Sequence, residues 1–143
     1  MAGAPAGFDE TPPLSITTHE HGEPGQQGRV LRVEARGEID LSNAPLFRDA
    51  LETACSHLSG GSSGVEGMGS VPGKLLVDLR QVSFIDSAGL AVIVYLRTGY
   101  NPHCQMTLIV SPATQTARVL RLSQFERFIP IVHTLEEIDA GEK

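Results

Sequence analysis

Hydrophobic and polar residues alternate in the first third of the chain, which is the pattern of half-buried β-strands. Two such segments, 14–18 and 30–36, flank the turn-like stretch 19–28 and predict an antiparallel hairpin. Asn43-Ala44-Pro45 then places a capping residue before an early proline, as at many helix starts. Apolar residues follow at helical spacing, so we expect one amphipathic helix after the hairpin, with Phe47, Ala50, Leu51, Ala54 and Leu58 on its apolar face.

The second half of the chain predicts strands that alternate with helices. Residues 74–79 are typical of a central strand that is apolar on both faces, and residues 86–100 predict a helix that is apolar on most sides. Both elements should therefore be deeply packed. The remaining predicted elements are, in order, a strand at 106–110, a helix capped by Ser111-Pro112, a short edge strand at 129–132 and a helical turn at 135–138.

The predicted order β-β-α-β-α-β-α-β-α is typical of an α/β domain whose parallel strands are joined by crossover helices. A chain of 143 residues, 41% of them hydrophobic, is long enough to bury one core but hardly two. We expect a single α/β domain over 14–139, with a mixed β-sheet of about five strands packed against about four helices. Composition predicts a flexible leader at 1–13, a flexible Gly/Ser-rich loop at 59–73 and a short tail at 140–143.

Charge and hydropathy argue against several classes of function. The net charge is -6 and the eleven basic residues are scattered along the chain, so direct nucleic-acid binding is not expected. The longest apolar run, 88–96, is far shorter than the roughly 20 residues that span a bilayer, and membrane insertion is not expected either. The N-terminus lacks the basic start and apolar core of a secretory signal. We therefore expect a cytoplasmic protein without a cofactor.

The two cysteines, Cys55 and Cys104, lack the spacing of a zinc or redox motif and are expected to be free thiols. A metal site would require the fold to bring Cys55-x-His57 and His103-Cys104 together, and no carboxylate pattern supports one. A hydrolase is not expected, because the Gly-x-Ser-x-Gly pattern of many serine hydrolases is missing around Ser87. The five histidines are expected at the surface: His19, His21, His57, His103 and His133.

The boundary between the third strand and its helix carries the most specific chemistry. Asp86 is a good N-cap and places Ser87 in the first helical turn, where backbone N–H groups lack partners and the helix dipole favours negative charge. A phosphate ester on Ser87 would add about -1.5 to -2 charges at neutral pH. Beside Asp86 and against an apolar partner that charge would be repelled and costly to desolvate, so binding would fail while the fold survived.

Three segments together resemble one protein family. Asp86-Ser87-Ala88-Gly89-Leu90 follows an apolar strand, Gly37-Glu38-Ile39-Asp40-Leu41-Ser42 lies upstream, and the C-terminal segment 119–131 completes the pattern. This combination resembles the STAS family (sulfate transporter and anti-sigma factor antagonist) over residues 14–139, and it is more specific than any one motif. The resemblance implies the STAS fold and a partner-switching function. The unmodified protein would bind an anti-sigma factor, itself a serine kinase, and thereby release a sigma factor.

The resemblance also implies which residues act. In antagonists of this family the phosphorylated hydroxyl lies in the two positions after the motif's aspartate, here Ser87 and Ala88, and only Ser87 can accept phosphate. Sporulation-type members carry the phosphate at the second position, so two alternatives stay open: phosphorylation of Ser87, or constitutive binding. Asp40 matches an acidic position near the switch in relatives and is otherwise a turn or capping residue. The implied partner-binding residues are Asp40, Asp86, Ser87, Ala88, Gly89 and Leu90.

Two further alternatives use the same helix start. A STAS scaffold or subunit could serve another partner, such as a lipid-transport ATPase or a stress-signalling complex, because fold does not determine function. A nucleotide could bind at the helix N-terminus, but the chain has no Gly-x-x-x-x-Gly-Lys-Ser/Thr cradle for it. No pattern in the sequence specifies the anti-sigma factor, the sigma factor or the oligomeric state.

Overall fold

The computed structural model describes residues 14–21, 29–60, 73–100 and 104–141. These residues form one five-stranded sheet in the order β1-β2-β3-β4-β5, crossed by four α-helices. The strands are β1 (Leu14–His21), β2 (Val30–Ile39), β3 (Gly73–Ile85), β4 (Cys104–Ile109) and β5 (Ile131–Val132). The helices are α1 (Ala44–Gly60), α2 (Ser87–Tyr100), α3 (Gln115–Leu122) and α4 (Leu135–Gly141), with a 3-10 turn at Phe125–Arg127.

This architecture confirms the predicted mixed α/β domain and its element order. The first two strands are antiparallel, and β2, β3, β4 and β5 are parallel neighbours joined by helical crossovers. Within the described ranges, no helix is long and apolar enough to cross a bilayer. The predicted leader 1–13 lies outside the described residues. Of the predicted loop 59–73, the first two residues end α1 and Gly73 begins β3, and residues 61–72 lie outside the described ranges.

The β1–β2 hairpin is longer than its alternation predicts. His19 and His21 lie in β1, so the prediction of a turn from residue 19 onward was wrong, and residues 22–28 lie outside the described ranges. Cross-strand polar contacts explain the extension. The His19 ring nitrogen lies 3.1 Å from a Glu34 carboxylate oxygen, and Arg32 donates to the His21 ring at 3.1 Å. Polar residues therefore continue the strand because they have partners on β2.

One hydrophobic core joins the sheet to the helices. Leu31, Val33 and Ala35 of β2 are buried on one face of the sheet, as the alternation predicts. The side chains of α1 and α2 pack in the same cluster, so these helices shield that face from water. The fully buried helical residues that contribute most volume to this core are Phe47, Leu51, Ile93, Leu96 and, from α3, Leu120.

Strand β3 extends beyond its β4 partner, and α3 completes its hydrogen bonding. Pairing with β4 ends at Asp78, whereas β3 continues to Ile85 beside β2. Thr116 of α3 donates its hydroxyl to the Val82 carbonyl at 2.9 Å. The Gln115 side-chain oxygen accepts from the Ile85 N–H at 3.1 Å. These contacts supply the partners that buried backbone groups require, and they hold the end of β3 in place.

The cap of α3 differs from the prediction. Thr114 is the N-cap residue, and its hydroxyl oxygen accepts from the Ala117 N–H at 3.1 Å. The same hydroxyl donates to the Ser111 carbonyl at 2.9 Å, so Ser111 and Pro112 lie in the preceding turn. Placing the cap at Ser111-Pro112 was wrong, because a hydroxyl caps the N–H two or three residues after it and the first helical residue is Gln115.

Asp78 of β3 carries a buried carboxylate on the face of the sheet opposite the main core. Asp78 is only 1% exposed, alternates with the core residues Val77 and Leu79, and interrupts a strand that was expected to be apolar on both faces. It accepts from Arg80 at 2.7 and 2.9 Å and from Arg32 of β2 at 2.8 Å. Burial by itself would raise the pKa of Asp78, but the hydrogen bonds and charges of the two arginines outweigh it and lower that pKa below its ordinary value.

The start of α2 lies directly against the ends of two strands. Gly89 is buried, and a Cβ atom added there would lie 2.7 Å from Cγ1 of Ile85 and 2.8 Å from Cγ2 of Ile39. Carbon atoms in proteins do not approach this closely without repulsion, since their optimal separation is about 3.5–4.0 Å. A residue without a side chain is therefore required where the helix meets the sheet.

Asp78→Asn should destabilise the fold by about 2–4 kcal/mol in urea unfolding at neutral pH, because Arg32 and Arg80 lose a buried counter-charge. Because the folded-state pKa of Asp78 is lowered, the unfolded chain binds the proton more tightly. The Asp78 contribution is therefore present above its unfolded pKa, near 3.8, and is lost as the pH falls through the lower folded value. The variant should show a flatter loss of stability on acidification. Asp49→Asn, at an exposed ion pair, is the control. It should change little in either the free energy of unfolding at neutral pH or its dependence on pH.

Gly89→Ala should lower the free energy of unfolding by about 1–3 kcal/mol, because the added methyl group must displace Ile39 or Ile85. Gly99→Ala is the matched control in the same helix, since an added Cβ at Gly99 meets nothing within 4 Å. That variant should lose no stability, because alanine is the better helix former. Equal losses for the two variants in urea titrations would contradict the close approach at Gly89.

Candidate functional site

The N-cap of α2 forms as the sequence predicts. Asp86 accepts through one carboxylate oxygen from the N–H groups of Ala88 at 2.9 Å and Gly89 at 3.3 Å. Its carbonyl accepts from Leu90 N–H at 3.1 Å, the first helical hydrogen bond. The chain's own carboxylate therefore occupies these first-turn amides. A phosphate near Ser87 would meet a negative charge here instead of an open anion site.

The motif residues differ in exposure. Ser87 is exposed, Ala88 and Leu90 are half-buried against the core, and Gly89 is buried. Of the two residues that follow the cap, Ser87 and Ala88, the more exposed one is therefore the one that has a hydroxyl. Leu90 contributes to the core and also retains some exposed surface.

The Asp40 loop flanks the same helix start. The Asp86 N–H donates to the Ile39 carbonyl at 3.2 Å, which joins the end of β2 to the cap of α2. Asp40 accepts from the Ser42 hydroxyl at 2.6 Å and from the Ser42 N–H at 3.0 Å. The Ser42 hydroxyl bond is the main cause that lowers the pKa of Asp40, so this carboxylate stays charged at neutral pH. These hydrogen bonds show that Asp40 stabilises the turn. The contact of Asp40 with a partner protein stays a prediction.

Asn43 braces this loop, a role that its sequence position did not reveal. The residue is buried, its side-chain oxygen accepts from the Asp40 N–H at 2.9 Å, and its amide nitrogen donates to the Glu38 carbonyl at 2.9 Å. The Asn43 carbonyl accepts from the Leu46 N–H at 3.0 Å at the start of α1. The backbone of Asn43 therefore begins the helix as expected, while its side chain holds the loop instead of capping the helix.

An exposed apolar stripe continues from Ser87 along α2. Ala91, Val94 and Tyr95 lie four, seven and eight residues after Ser87, which places them on the same helical face. All three are exposed, with Val94 43% and Tyr95 58% accessible. The prediction that α2 is deeply packed was therefore wrong for this face, although the opposite face is buried through Val92, Ile93 and Leu96. We call Ala91, Val94 and Tyr95 the α2 stripe.

Two further exposed leucines lie at Asp40 and in the first turn of α1. Leu41 follows Asp40 and is 77% exposed, and Leu46 lies in the first turn of α1 and is 52% exposed. Leu41 is close in the chain to Ile39, whose carbonyl accepts from the Asp86 N–H, and Leu46 lies on α1, the helix that packs against α2. Large apolar side chains that remain in water in this number favour contact with another protein.

The sequence gives no sign that Cys55 and Cys104 meet, but the fold brings their sulfur atoms to 3.3 Å. Both cysteines are buried, and neither forms a disulfide. His57 is exposed, and His103 lies outside the described residues. Among the described ranges, no group of three or more His, Cys, Asp or Glu side chains is arranged to hold a metal ion.

Comparison with known proteins supports the same fold. The protein is 23% identical over 108 residues to a STAS-domain containing protein of Pseudomonas aeruginosa (strain UCBPP-PA14), covering 76% of this chain and 93% of the relative. A crystal structure of an anti-sigma factor antagonist from Mycobacterium paratuberculosis superposes with a TM-score of 0.65 at 23% identity, covering 89% of this chain and 93% of the other. The anti-sigma factor antagonist SpoIIAA in its unphosphorylated form gives a TM-score of 0.54 at 16% identity, covering 88% and 96%.

These structural similarities establish a shared fold, a five-stranded mixed sheet with four helices. The family itself is established by the sequence, because the model of the STAS domain matches residues 23–138, which is most of the chain and includes both Asp40 and the Asp86–Leu90 segment. The resemblance seen in the motifs is confirmed, and the chain belongs to the STAS domain family.

Proposed function

We propose that this protein is an anti-sigma factor antagonist that binds an anti-sigma factor of the serine kinase type and thereby releases a sigma factor. Two of its structural neighbours are anti-sigma factor antagonists. The observation that carries the proposal is the exposure of Ser87 at the start of α2, directly continuous with the apolar α2 stripe. On such a surface, phosphorylation of one hydroxyl group would place a charge at an apolar interface and so oppose binding. Because its partners would act on transcription, we place the protein in the cytoplasm.

The proposed interface is centred on Ser87 and includes the α2 stripe, Leu90 and the loop at Asp40. Buried aromatic side chains contribute more binding energy at protein interfaces than most other residues, and Tyr95 is the aromatic residue of the stripe. Asp86 and Gly89 act mainly by fixing the helix start, since the first caps it and the second lies in the core. The proposed interface thus lies on a helix whose start is fixed by its cap and by core packing.

Phosphorylation of Ser87 would oppose binding without unfolding the protein. The first-turn amides already bind Asp86, so a phosphate on Ser87 would gain few hydrogen bonds from the chain. It would instead add about -1.5 to -2 charges between the Asp86 carboxylate and the partner's surface. Desolvating that charge against the apolar stripe is costly, so the complex would dissociate while the core, which Ser87 does not enter, would remain intact.

The position of Ala88 agrees with Ser87 being the phosphate acceptor. Ala88 packs partly against the core, so a kinase would reach a side chain at this position less easily than one at Ser87. The exposure of the two positions therefore favours phosphorylation of Ser87 over constitutive binding.

The kinase partner can be identified directly. The tagged full-length chain should capture an anti-sigma factor from source-cell lysate, and the purified complex should transfer phosphate from ATP to Ser87, mapped by mass spectrometry. Ser87→Ala should capture the same protein and take up no phosphate. A captured anti-sigma factor that leaves Ser87 unmodified in the presence of ATP would indicate constitutive antagonism. Capture of a transport ATPase subunit instead would assign the chain to the alternative scaffold role.

Ser87→Glu should weaken binding to the captured anti-sigma factor at least tenfold relative to Ser87→Ala, because a carboxylate placed beside Asp86 at the interface must be desolvated. Ser56→Glu, on the exposed side of α1, controls for a change in net charge and should bind as the unmodified chain does. Isothermal titration gives the affinities, and the melting temperatures of all three variants should lie within a few degrees of the unmodified protein. Equal affinities for Ser87→Glu and Ser87→Ala would contradict the proposal that phosphorylation of Ser87 controls binding.

Tyr95→Ala should weaken the same complex by about 1–3 kcal/mol, or roughly 5- to 150-fold, if the α2 stripe forms the interface. Leu122→Ala is the control, because Leu122 is a comparably exposed apolar residue at the end of α3. It should leave the affinity unchanged. A larger loss for Leu122→Ala than for Tyr95→Ala would place the interface on the other side of the molecule.

A further inference from the structure

The two cysteines of the chain are brought together by parts of the fold that are distant in sequence. Cys55 lies in the last third of α1, and Cys104 is the first residue of β4, 49 positions later. Their sulfur atoms are 3.3 Å apart, whereas a disulfide requires about 2.05 Å. A shift of little more than 1 Å would therefore bring the two sulfur atoms to bonding distance.

One of the two thiols borders a cavity. Cys104 is among the residues that line an opening of about 370 Å³, whose walls include β4, β5 and α4. A water molecule occupies about 30 Å³ in the liquid, so a molecule as small as hydrogen peroxide fits this space easily. Cys55 is fully buried behind Cys104. A small oxidant that enters this opening therefore meets Cys104 before it meets Cys55.

The pair also differs in acidity. The hydrogen bond from Cys55 lowers the pKa of Cys104, and the same bond, with burial, raises the pKa of Cys55. Cys104 is therefore the thiol that more readily forms a thiolate, which is the form that reacts with peroxides, and Cys55 holds the proton.

We propose that Cys55 and Cys104 are a redox modification site at which hydrogen peroxide forms an intramolecular disulfide between α1 and β4. The Cys104 sulfur attacks one peroxide oxygen, the O–O bond breaks, and the departing hydroxide takes the Cys104 proton, leaving a sulfenic acid and water. The Cys55 sulfur then attacks the Cys104 sulfur, the S–O bond breaks, and the departing hydroxide takes the Cys55 proton. In total the two thiols lose two electrons and two protons to one peroxide and yield one disulfide and two water molecules.

The disulfide would join elements at the end of the domain where α1 finishes and the parallel strands begin. Gly73, the first residue of β3, pairs with Cys104, and an added Cβ at Gly73 would lie 2.8 Å from Leu58 of α1. This end of the core is thus tightly packed around the two thiols. A covalent link there constrains the unfolded chain over a long loop and should stabilise the fold.

The test uses the purified full-length chain under native conditions. After treatment with hydrogen peroxide, the chain is denatured and any remaining thiols are alkylated. The monomer should then lose about 2 Da, the mass of the two thiol hydrogens, and a peptide linking Cys55 to Cys104 should appear in a digest. The melting temperature should rise by about 5–15 °C and return to its starting value with dithiothreitol.

Single substitutions give the matched controls. Cys55→Ala leaves Cys104 without a resolving thiol, so the treated chain should gain oxygen and show no rise in melting temperature. Cys104→Ala leaves only the fully buried thiol, which should react with peroxide much more slowly. The proposal is overturned if the folded unmodified chain keeps two alkylatable thiols under peroxide excess, gains only oxygen, or forms only disulfide-linked dimers. These outcomes are read by mass and do not depend on any partner protein.

Discussion

The close approach of helix α2 to the ends of β2 and β3 at Gly89 is the constraint on which the functional surface depends. A side chain at this position would overlap Ile39 and Ile85, so a glycine there lets the helix start lie directly against the strand ends. The Asp86 N–H bonds to the Ile39 carbonyl at the same place. Together the steric fit and the hydrogen bond fix both the height and the direction of the first turn. The Ser87 side chain is thereby held at a defined place on the surface.

The neighbouring loops and helices are braced by polar side chains with buried backbone partners. The Asn43 side chain joins the loop around Asp40 to the Glu38 carbonyl. Gln115 and Thr116 supply hydrogen-bond partners for backbone groups of β3 where it extends beyond β4. Each bond replaces one that water would otherwise supply, so breaking it would leave a buried donor or acceptor without a partner. This bracing makes the region around Ser87 rigid, and a change of charge there would act on the interface more than on the fold.

The chemistry of the molecule is divided between two ends of the sheet. The Asp40 loop and the Asp86–Leu90 segment lie at the carboxyl ends of β2 and β3, whereas the thiol pair lies at the amino end of β4. Between them the Asp78 carboxylate links β2 and β3 through Arg32 and Arg80, on the face of β3 opposite the core residues Val77 and Leu79. A covalent change at the thiol end would therefore alter stability without changing the charge of the proposed interface.

Local pattern was sufficient to predict the order of elements, the β1–β2 hairpin and the Asp86 cap, because these features depend on alternation, helical spacing and side chains that act within three residues. The motif around Ser87 was recognised from three segments in combination, through their resemblance to one family. The same patterns failed where partners are distant, because the extension of β1 needs Glu34 and Arg32. The cap of α3 was placed three residues early for a local reason, because several adjacent side chains could have served as its cap.

Only the tertiary structure decided which face of an apolar helix is buried and which distant residues meet. The composition of α2 is apolar nearly all round, and its contacts with α1 and the sheet leave Val94 and Tyr95 in water. The contact between Cys55 and Cys104 and the ion pairs of Asp78 join residues from different elements, which no spacing along the chain encodes. Sequence patterns report interactions over a few residues, whereas burial and long-range pairing follow from how the elements pack together.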